Sequence, residues 1–356
     1  MKTRDLSGHR EYSPGKSTKE VAKDIGRGEQ RIINLSSNEN PIGPSPNVVK
    51  TLRDKSQSVN RYPKEAAKIL INKIAEKWGV TESQIWLSNG GDGAIDYLSR
   101  AMIEPNDGVL VPNPGFAYYG MSAMFHHGCV DEYYIGKSEE FKLSAKNVLK
   151  RYNGQKIIYL TSPNNPTGGV FPIKDIKKII DEIKEDSLVV IDEAYGEYCD
   201  EKSAIKLHDD YQNVAIIRTF SKAYGLAGCR IGYAIVPERG SGAYTRVSTP
   251  FAVGELSCHA AMAALGDEGH LEKTVNMAKW SREYMRKNMD MNVMESHANF
   301  VLVEVGDANE VFKKLKMRGI VVRDCTSFGM PEYIRVTCGD KKQTEMIVKE
   351  INNLKE

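Results

Sequence analysis

Cysteine is scarce in this sequence, and long apolar runs are missing from it. The six cysteines are dispersed and show no CxxC spacing, which argues against a zinc site and against a disulfide framework. No apolar run approaches the length needed to cross a membrane, and the polar N-terminus does not resemble a signal peptide. From these absences we expect a protein of the reducing cytoplasm.

An excess of charge of one sign is also missing. The chain has 49 Lys and Arg residues against 47 Asp and Glu, a net charge of +2, and no basic stripe of the kind that binds nucleic acid. We therefore expect neither a nucleic-acid partner nor a membrane partner. With 356 residues, of which 41% are hydrophobic, the chain is long enough to bury a core in one large and one small domain.

Short apolar runs alternate with helical patterns along most of the chain. The expected strands lie at 32–35, 84–88, 109–111, 156–161, 188–191, 214–217, 231–236, 299–305, 320–323 and 333–337. Such alternation predicts an α/β fold whose large domain has a mainly parallel sheet between helices. Because the composition changes at 237–242, we place the large domain at 46–245. The N-terminal arm, 1–45, and the C-terminal part, 246–356, would together build a smaller α+β domain.

A lysine in a glycine-containing loop has neighbours suited to a phosphorylated aldehyde. Lys222 follows an apolar, β-rich run and stands next to Ser221, with Arg230 eight residues further on. A lysine amine forms a Schiff base with an aldehyde, while a hydroxyl and a planar guanidinium hold phosphate oxygens. An isolated Ser-Lys pair is more often a surface feature, so this hypothesis depends on motifs elsewhere in the chain.

An acidic residue ends a fully apolar predicted strand. Asp192 follows 188–191, and a buried carboxylate is costly unless it is paired with a cation. A protonated pyridine nitrogen would be a suitable partner, and the ion pair would keep such a ring an electron sink. Tyr195, three residues further on, is close enough to reach the same ligand. The alternative interpretation of Asp192 is an acidic turn residue.

Two polar turns follow other predicted strands. Asn89-Gly-Gly-Asp-Gly93 leads into a helix expected to begin near Ala94, so the backbone amides of Gly91 and Asp92 form a candidate anion site. The turn lacks GxGxxG spacing, and no acidic residue follows where a ribose would need one, which argues against a dinucleotide. Ser162-Pro-Asn-Asn-Pro-Thr-Gly168 makes a sharp bend at the sheet edge where α/β folds bind ligands.

These segments resemble the fold-type-I pyridoxal-phosphate enzymes, in particular the histidinol-phosphate aminotransferase-like branch of the class I and II aminotransferases. Ser37-Asn-Glu-Asn-Pro-Ile-Gly-Pro44 is similar to the signature octet of that branch, and the match extends over nearly the whole chain. The resemblance implies pyridoxal 5'-phosphate as the cofactor, held by Lys222 as a Schiff base. Lys222 would then move a proton between the substrate carbon and the cofactor carbon, as base and then as acid.

The resemblance also implies the contacts of the cofactor. Asp192 would bind the ring nitrogen, and Tyr195 would reach the phenolic oxygen and tune the Schiff base. The remaining expected contacts are Asn165 on the phenolic oxygen, Phe116 on the ring face, and Gly91, Asp92, Ser221 and Arg230 on the phosphate. Tyr62, in Arg61-Tyr-Pro63, would reach across a subunit interface to the cofactor phosphate of the neighbouring subunit. This last role implies an obligate homodimer with shared active sites.

Four residues are implied in substrate binding. Tyr12 and Asn38 lie in the N-terminal segments, and Arg323 and Arg335 lie in the last two predicted strands. The arginines would bind the acidic groups of an amine donor and of 2-oxoglutarate, since a guanidinium accepts both a phosphate and a carboxylate.

The sequence departs from the family pattern at two of these positions. Gly93 stands where the family usually has Glu, although the backbone amides before it should still bind phosphate. Phe116 stands where the branch more often has Tyr, so this position does not help to decide which enzyme of the branch the sequence resembles.

The resemblance implies a histidinol-phosphate:2-oxoglutarate aminotransferase that works by a ping-pong mechanism. An aminotransferase for aromatic or other amino acids would use nearly the same residues. A threonine-phosphate decarboxylase-like lyase is a further alternative, because Arg323-Asp-Cys-Thr-Ser-Phe-Gly329 resembles its C-terminal segment. A pyridoxal-binding regulator normally carries a helix-turn-helix domain, for which we see no room before Ile32.

Overall fold

The computed structural model describes residues 15–199 and 203–354. The strands in these residues are β1 Ile33–Asn34, β2 Ile85–Ser88, β3 Gly108–Asn113, β4 Cys129–Tyr134, β5 Ile157–Thr161, β6 Leu188–Asp192, β7 Val214–Thr219, β8 Gly232–Ile235, β9 Asn292–Val293, β10 Phe300–Glu304, β11 Ile320–Val321, β12 Arg323–Asp324 and β13 Tyr333–Thr337. The strands expected from the apolar runs therefore form, with the boundary differences given below.

Strands β2 to β8 form one seven-stranded sheet in the order β2-β8-β7-β6-β5-β3-β4. Within this sheet β8 is antiparallel to both of its neighbours, and the other strands run in one direction. Every residue of β5, β6, β7 and β8 is buried. Continuous burial is typical of a sheet covered on both faces, and the mainly parallel α/β class is confirmed.

Both ends of the chain contribute to the smaller sheets. A four-stranded antiparallel sheet has the order β12-β13-β10-β9, and β1 pairs in parallel with β11, where Ile33 lies opposite Ile320. The N-terminal segment is therefore bonded to the C-terminal part of the chain. The division into parts 1–45, 46–245 and 246–356 stays a prediction.

Helices cover the sheets, and each of them except α8 has buried residues. They are α1 Thr18–Asp24, α2 Pro46–Lys55, α3 Lys64–Trp78, α4 Gly90–Met102, α5 Tyr118–Phe125, α6 Ala145–Leu149, α7 Ile173–Glu182, α8 Tyr244–Val247, α9 Glu255–Leu265, α10 Glu268–Asn288, α11 Ala308–Met317 and α12 Lys341–Asn352. Helix α12 buries Ile347 and Ile351 at helical spacing. Its first turn is closed by a capping box between Asp340 and Gln343.

Two predicted boundaries are wrong. The helix expected near Ala94 begins at Gly90, inside the glycine turn itself, because the first helical residues need no intrahelical acceptor for their amides. The run 320–323 is not one strand, because Ile320–Val321 bonds to β1 whereas Arg323–Asp324 bonds to β13. The chain changes hydrogen-bonding partner between them, and an apolar pattern does not reveal which neighbour a strand has.

The described residues contain no helix that is both long enough and apolar enough to span a membrane. Cys129, Cys229, Cys258, Cys325 and Cys338 are free thiols. The cytoplasmic location expected from the sequence stays a prediction.

Candidate active site

The predicted cofactor residues other than Tyr62 lie near the carboxyl edge of the seven-stranded sheet. Asp192 is the last residue of β6, Lys222 follows β7, and Asn165 lies in the bend after β5. Helix α4 begins directly after β2. Because these strands run in one direction, their carboxyl ends lie at one edge, and their loops come together there.

The loop that carries Lys222 packs backbone against backbone on the N-terminal octet. Gly225 has φ +69°, and a Cβ atom at this position would lie 2.5 Å from the carbonyl oxygen of Gly43. Only glycine tolerates both the left-handed backbone and this close approach. As a result the Lys222 amine reaches the octet, and its Nζ donates to the carbonyl oxygen of Ser37 at 3.1 Å.

Lys222 has an environment that favours the neutral amine. It is half-buried, and its Nζ lies 5.9 Å from the centre of the Tyr195 ring. Burial, and then the nearby positive charge of Arg335, lower the pKa of Lys222 to about 8. A neutral amine is the form that attacks an aldehyde or accepts a proton, so this environment suits the role predicted for Lys222.

Asp192 is a buried carboxylate without a basic partner in the described residues. Its side chain accepts hydrogen bonds from the Tyr119 hydroxyl at 2.7 Å and from the Ala194 backbone amide at 2.8 Å. Burial raises the pKa of Asp192 to about 6, although both of these hydrogen bonds oppose the rise. A carboxylate held in this way is suited to bind a cation from a ligand.

The N-terminus of α4 lies beside the Arg230 guanidinium. The helix is capped by Asn89 with no side-chain hydrogen bond, and its first amides come from Gly90, Gly91 and Asp92. A Cβ atom at Gly90 would lie 2.6 Å from Nη2 of Arg230, so glycine is required for this contact. A 13-residue helix that starts beside a guanidinium attracts an anion through its amides and its dipole.

Arg230 and Ser221 hold each other near the start of α4. Arg230 Nη1 lies 3.4 Å from the Ser221 hydroxyl, and its Nη2 donates to the Asp92 carboxylate at 2.9 Å. Thr219 also bonds to both the amide and the hydroxyl of Ser221, at 3.1 and 3.0 Å. The four residues predicted on the phosphate are therefore adjacent, and the Asp92 side chain adds an ion pair that the sequence did not predict.

Arg335 determines how the Asn165 amide is oriented. Arg335 is buried in β13 and donates one hydrogen bond to the side-chain oxygen of Asn165 and another, of 2.6 Å, to the carbonyl oxygen of Ser36. An arginine can only donate, so the oxygen of Asn165 must face it. The amide NH₂ of Asn165 then points the other way, where it can donate to a ligand oxygen.

Tyr195 is held by Asn38. The Asn38 amide donates to the Tyr195 hydroxyl at 2.9 Å, and its oxygen accepts from the Thr337 hydroxyl at 3.2 Å. Asn38 is buried, with φ +55°, a left-handed conformation that asparagine tolerates better than most residues. The structure places Asn38 behind Tyr195, and its contact with substrate stays a prediction.

Three other predicted residues differ in how close they lie to this edge. Phe116 packs edge-on against Tyr119, with ring centres 5.6 Å apart, and so lies beside Asp192. Arg323 is half-buried and lies directly opposite Arg335 on neighbouring strands. Tyr62, in contrast, is 75% exposed and stacks on Phe251 at the surface. Tyr12 lies outside the described residues.

Sequence reasoning missed three polar side chains at this edge. The Tyr119 hydroxyl donates to Asp192 and accepts from the Thr161 hydroxyl, and Thr219 orients Ser221. Phe116 lies before α5 and Tyr119 lies in its first turn, so helical periodicity in the sequence does not link these two residues. In the part of the chain that the structure describes, no group of three or more His, Cys, Asp or Glu residues could hold a metal ion.

Known proteins are similar to this chain in fold and in sequence. The family model for aminotransferase class I and II matches residues 30–351. Histidinol-phosphate aminotransferases of Haloferax volcanii and Natronomonas pharaonis are 51% and 50% identical over 354 residues, which is 99% of this chain and 98% and 100% of theirs. The crystal structure of histidinol-phosphate aminotransferase from Sinorhizobium meliloti in complex with pyridoxal-5'-phosphate has a TM-score of 0.85 at 23% identity, covering 96% of this chain and 95% of that one. The chain belongs to the class I and II aminotransferase family.

Proposed function

We propose that this protein is a pyridoxal-phosphate-dependent aminotransferase that moves the amino group of histidinol phosphate to 2-oxoglutarate in two half-reactions. The observation that carries the substrate assignment is the register of the last two strands, in which Arg323 lies directly opposite Arg335. The names of the relatives, which match over nearly their full length, support the same choice.

The residues at the sheet edge fit pyridoxal phosphate at three of its groups. The buried Asp192 carboxylate matches a protonated ring nitrogen, the α4 start with Arg230 matches the phosphate, and the Lys222 amine matches the aldehyde. When bound, this cofactor supplies an electron sink and an aldehyde that accepts amines. Asn165 and Tyr195 would hold the phenolic oxygen, and Phe116 would cover the ring face.

Lys222 is the residue that moves protons. With a pKa of about 8, its Nζ is partly neutral near physiological pH and can take the proton from the α-carbon of the substrate. Protonated Nζ can then deliver the proton to the cofactor carbon, two bonds away from the substrate carbon. The backbone of the loop that carries Lys222 is held in place by the Gly225–Gly43 contact. The positive charge of Arg335 keeps this ammonium from becoming too weak an acid.

Two arginines that lie directly opposite each other on neighbouring strands are suited to bind a dianion. Residues directly opposite each other on antiparallel strands point to the same face, and like charges placed there repel. A phosphate bound between Arg323 and Arg335 would relieve this repulsion. The terminal nitrogens of Arg335 each carry two hydrogens, so Arg335 can bind an acidic group and keep its bonds to Asn165 and Ser36.

The substrate assignment is tested by comparing kcat/KM for histidinol phosphate, histidinol, phenylalanine and threonine phosphate on one preparation. Each charge-assisted hydrogen bond to phosphate is worth about 1.5–3 kcal/mol, so removal of the phosphate should lower kcat/KM by well over tenfold. The Arg323→Gln variant should lose most of the preference for histidinol phosphate over histidinol. Arg318→Gln, which removes an arginine that pairs with Glu350, should keep it.

Two results would replace this assignment. A strong preference for phenylalanine would make the protein an aromatic aminotransferase, since a carboxylate needs only one arginine. Release of carbon dioxide from threonine phosphate would make it a decarboxylase.

We further propose that the active unit is a homodimer. The Tyr62 ring and the Phe251 ring stack 4.2 Å apart, yet both are more than half exposed, as is Val59. Exposed aromatic groups of this kind mark protein interfaces. Tyr62 is exposed and forms no hydrogen bond or ring contact with the described site residues of its own chain, so a role on the cofactor phosphate would be played in a second subunit. Each site would then be built from two chains.

Mixing two inactive variants tests this arrangement. Tyr62→Ala and Lys222→Ala homodimers should each turn over poorly, whereas a heterodimer contains one site with both residues intact. After subunit exchange, activity should return to about a quarter of the wild-type value for an equal mixture, since half of the dimers are heterodimers with one good site each. If subunits exchange and no activity returns, Tyr62 does not act in trans.

A further inference from the structure

A chain of hydroxyl groups leads to the carboxylate of Asp192. Tyr119, in the first turn of α5, is 1% exposed, and its hydroxyl lies 2.7 Å from Oδ2 of Asp192. The Thr161 hydroxyl, at the end of β5, lies 2.9 Å from the Tyr119 oxygen. Tyr119 is held from both sides, because its ring stacks on Tyr159 at 4.4 Å and meets Phe116 edge-on.

The direction of these hydrogen bonds follows from the number of protons. An ionised carboxylate has none, so Tyr119 must donate its single proton to Asp192. The bond between Thr161 and Tyr119 must then use the proton of Thr161. Both donors therefore point towards the carboxylate, and this arrangement stabilises Asp192 only while it is ionised.

We propose that Tyr119 is a positioning residue that keeps the Asp192 carboxylate ionised and oriented towards the ring nitrogen of the cofactor, and that Thr161 fixes Tyr119 for this task. The proposal rests on the proposed function for the identity of the ligand. It assigns a role to two residues outside the set implied by the family resemblance.

The charges around Asp192 make such a donor necessary. Burial, and to a smaller extent the carboxylates of Asp92 on α4 and Glu193 beyond β6, raise the pKa of Asp192 to about 6. The Tyr119 hydroxyl and the Ala194 amide act in the opposite direction. Tyr119 itself remains neutral, because burial raises its pKa well above the usual value. Without Tyr119, Asp192 would compete for the proton that it should leave on the ring nitrogen.

Tyr159 offers a matched control. It is as deeply buried as Tyr119 and stacks on it, but its hydroxyl forms no hydrogen bond to Asp192 in the residues described. Tyr119→Phe and Tyr159→Phe therefore remove the same atom from neighbouring rings. Thr161→Val keeps Tyr119 and removes only the group that orients it, which provides a second, milder variant.

The test has one measurement on the apoprotein and one on the holoenzyme. In the apoprotein, the titration of Asp192 is read from infrared spectra after subtraction of the Asp192→Asn spectrum. Its midpoint should rise by roughly one to two pH units in Tyr119→Phe, rise less in Thr161→Val and stay in place in Tyr159→Phe. In the holoenzyme loaded with ring-¹⁵N pyridoxal phosphate, the nitrogen shift of Tyr119→Phe should move towards the value of the neutral nitrogen.

Equal midpoints in Tyr119→Phe and Tyr159→Phe would overturn the proposal, and so would an unchanged ¹⁵N shift in Tyr119→Phe. If Tyr119→Phe does not fold, an unmoved midpoint in Thr161→Val has the same consequence. Failure of the proposed function is recognised separately. If the midpoints move as expected but the wild-type protein aminates 2-oxoglutarate from none of the four amines, the positioning of Asp192 stands and the assignment of the reaction is lost.

Discussion

Replacing Lys222 with alanine is expected to lower kcat at least about 10³-fold, because a positioned general base and acid contributes roughly 10² to 10⁴ and the attacking amine is lost as well. Binding of the cofactor should persist, since the α4 start and Arg230 are unchanged. A small added amine such as methylamine should restore part of the turnover by carrying the proton.

The same residue should be the point of covalent attachment. Borohydride reduction of the holoenzyme followed by peptide mapping should place the cofactor on Lys222. Lys77→Ala is the matched control, because burial also lowers the pKa of Lys77, and this variant should keep the label on Lys222. A label on any other lysine, or a Lys222→Ala variant with substantial turnover, would contradict the mechanism.

The pH dependence of cofactor capture follows from the pKa of Lys222. Below pH 8 the amine is mostly protonated and cannot attack an aldehyde, and above pH 8 it is mostly neutral. The rate at which the apoprotein captures pyridoxal phosphate should therefore rise with pH and level off above about pH 8. A lysine in water, with its ordinary pKa of 10.5, would still be mostly protonated there.

Asp192→Asn is expected to lower kcat about 10²- to 10⁴-fold with smaller changes in KM. Removing one partner of a buried charge pair costs about 3–5 kcal/mol, and each 1.4 kcal/mol is a factor of ten. The measurement is kcat and KM with histidinol phosphate, alongside the ¹⁵N shift of the ring nitrogen. Asp181→Asn, which removes a surface carboxylate bonded to Tyr211, is the control and should behave as wild type.

Asp192→Asn should also change how the stability of the apoprotein depends on pH. The carboxyl pKa is 3.8 in the unfolded chain and about 6 in the folded one, so the favourable contribution of Asp192 is present below pH 3.8 and is lost as pH rises through 6. Relative to Asp192→Asn, the wild-type apoprotein should lose about 2 kcal/mol of unfolding free energy between pH 4 and pH 6. Denaturant unfolding of both proteins measures this difference. If the difference in unfolding free energy between the two proteins does not change over this range, burial does not raise the pKa of Asp192.

Much of the candidate site could be predicted because its residues lie in short segments with recognisable sequence patterns. Asp192 ends an apolar run, Lys222 follows another, and Asn165 lies in a bend with two prolines. Strand periodicity and turn residues act over a few positions, so the fold class and the edge of the sheet that binds the ligand follow from the sequence. The candidate functional residues are then the polar residues that lie at the ends of these strands.

The tertiary structure alone decided which of these residues touch. Arg335 orients Asn165 across 170 positions, and Asn38 holds Tyr195 across 157. The opposition of Arg323 and Arg335 depends on a strand register that a shift of one residue would destroy. Contacts of this kind depend on how loops and strands distant in sequence are brought together. Local periodicity in the sequence does not predict that arrangement. The contact of Tyr119 with Asp192 could not be predicted from the sequence for the same reason, because it forms only where α5 packs beside the end of β6.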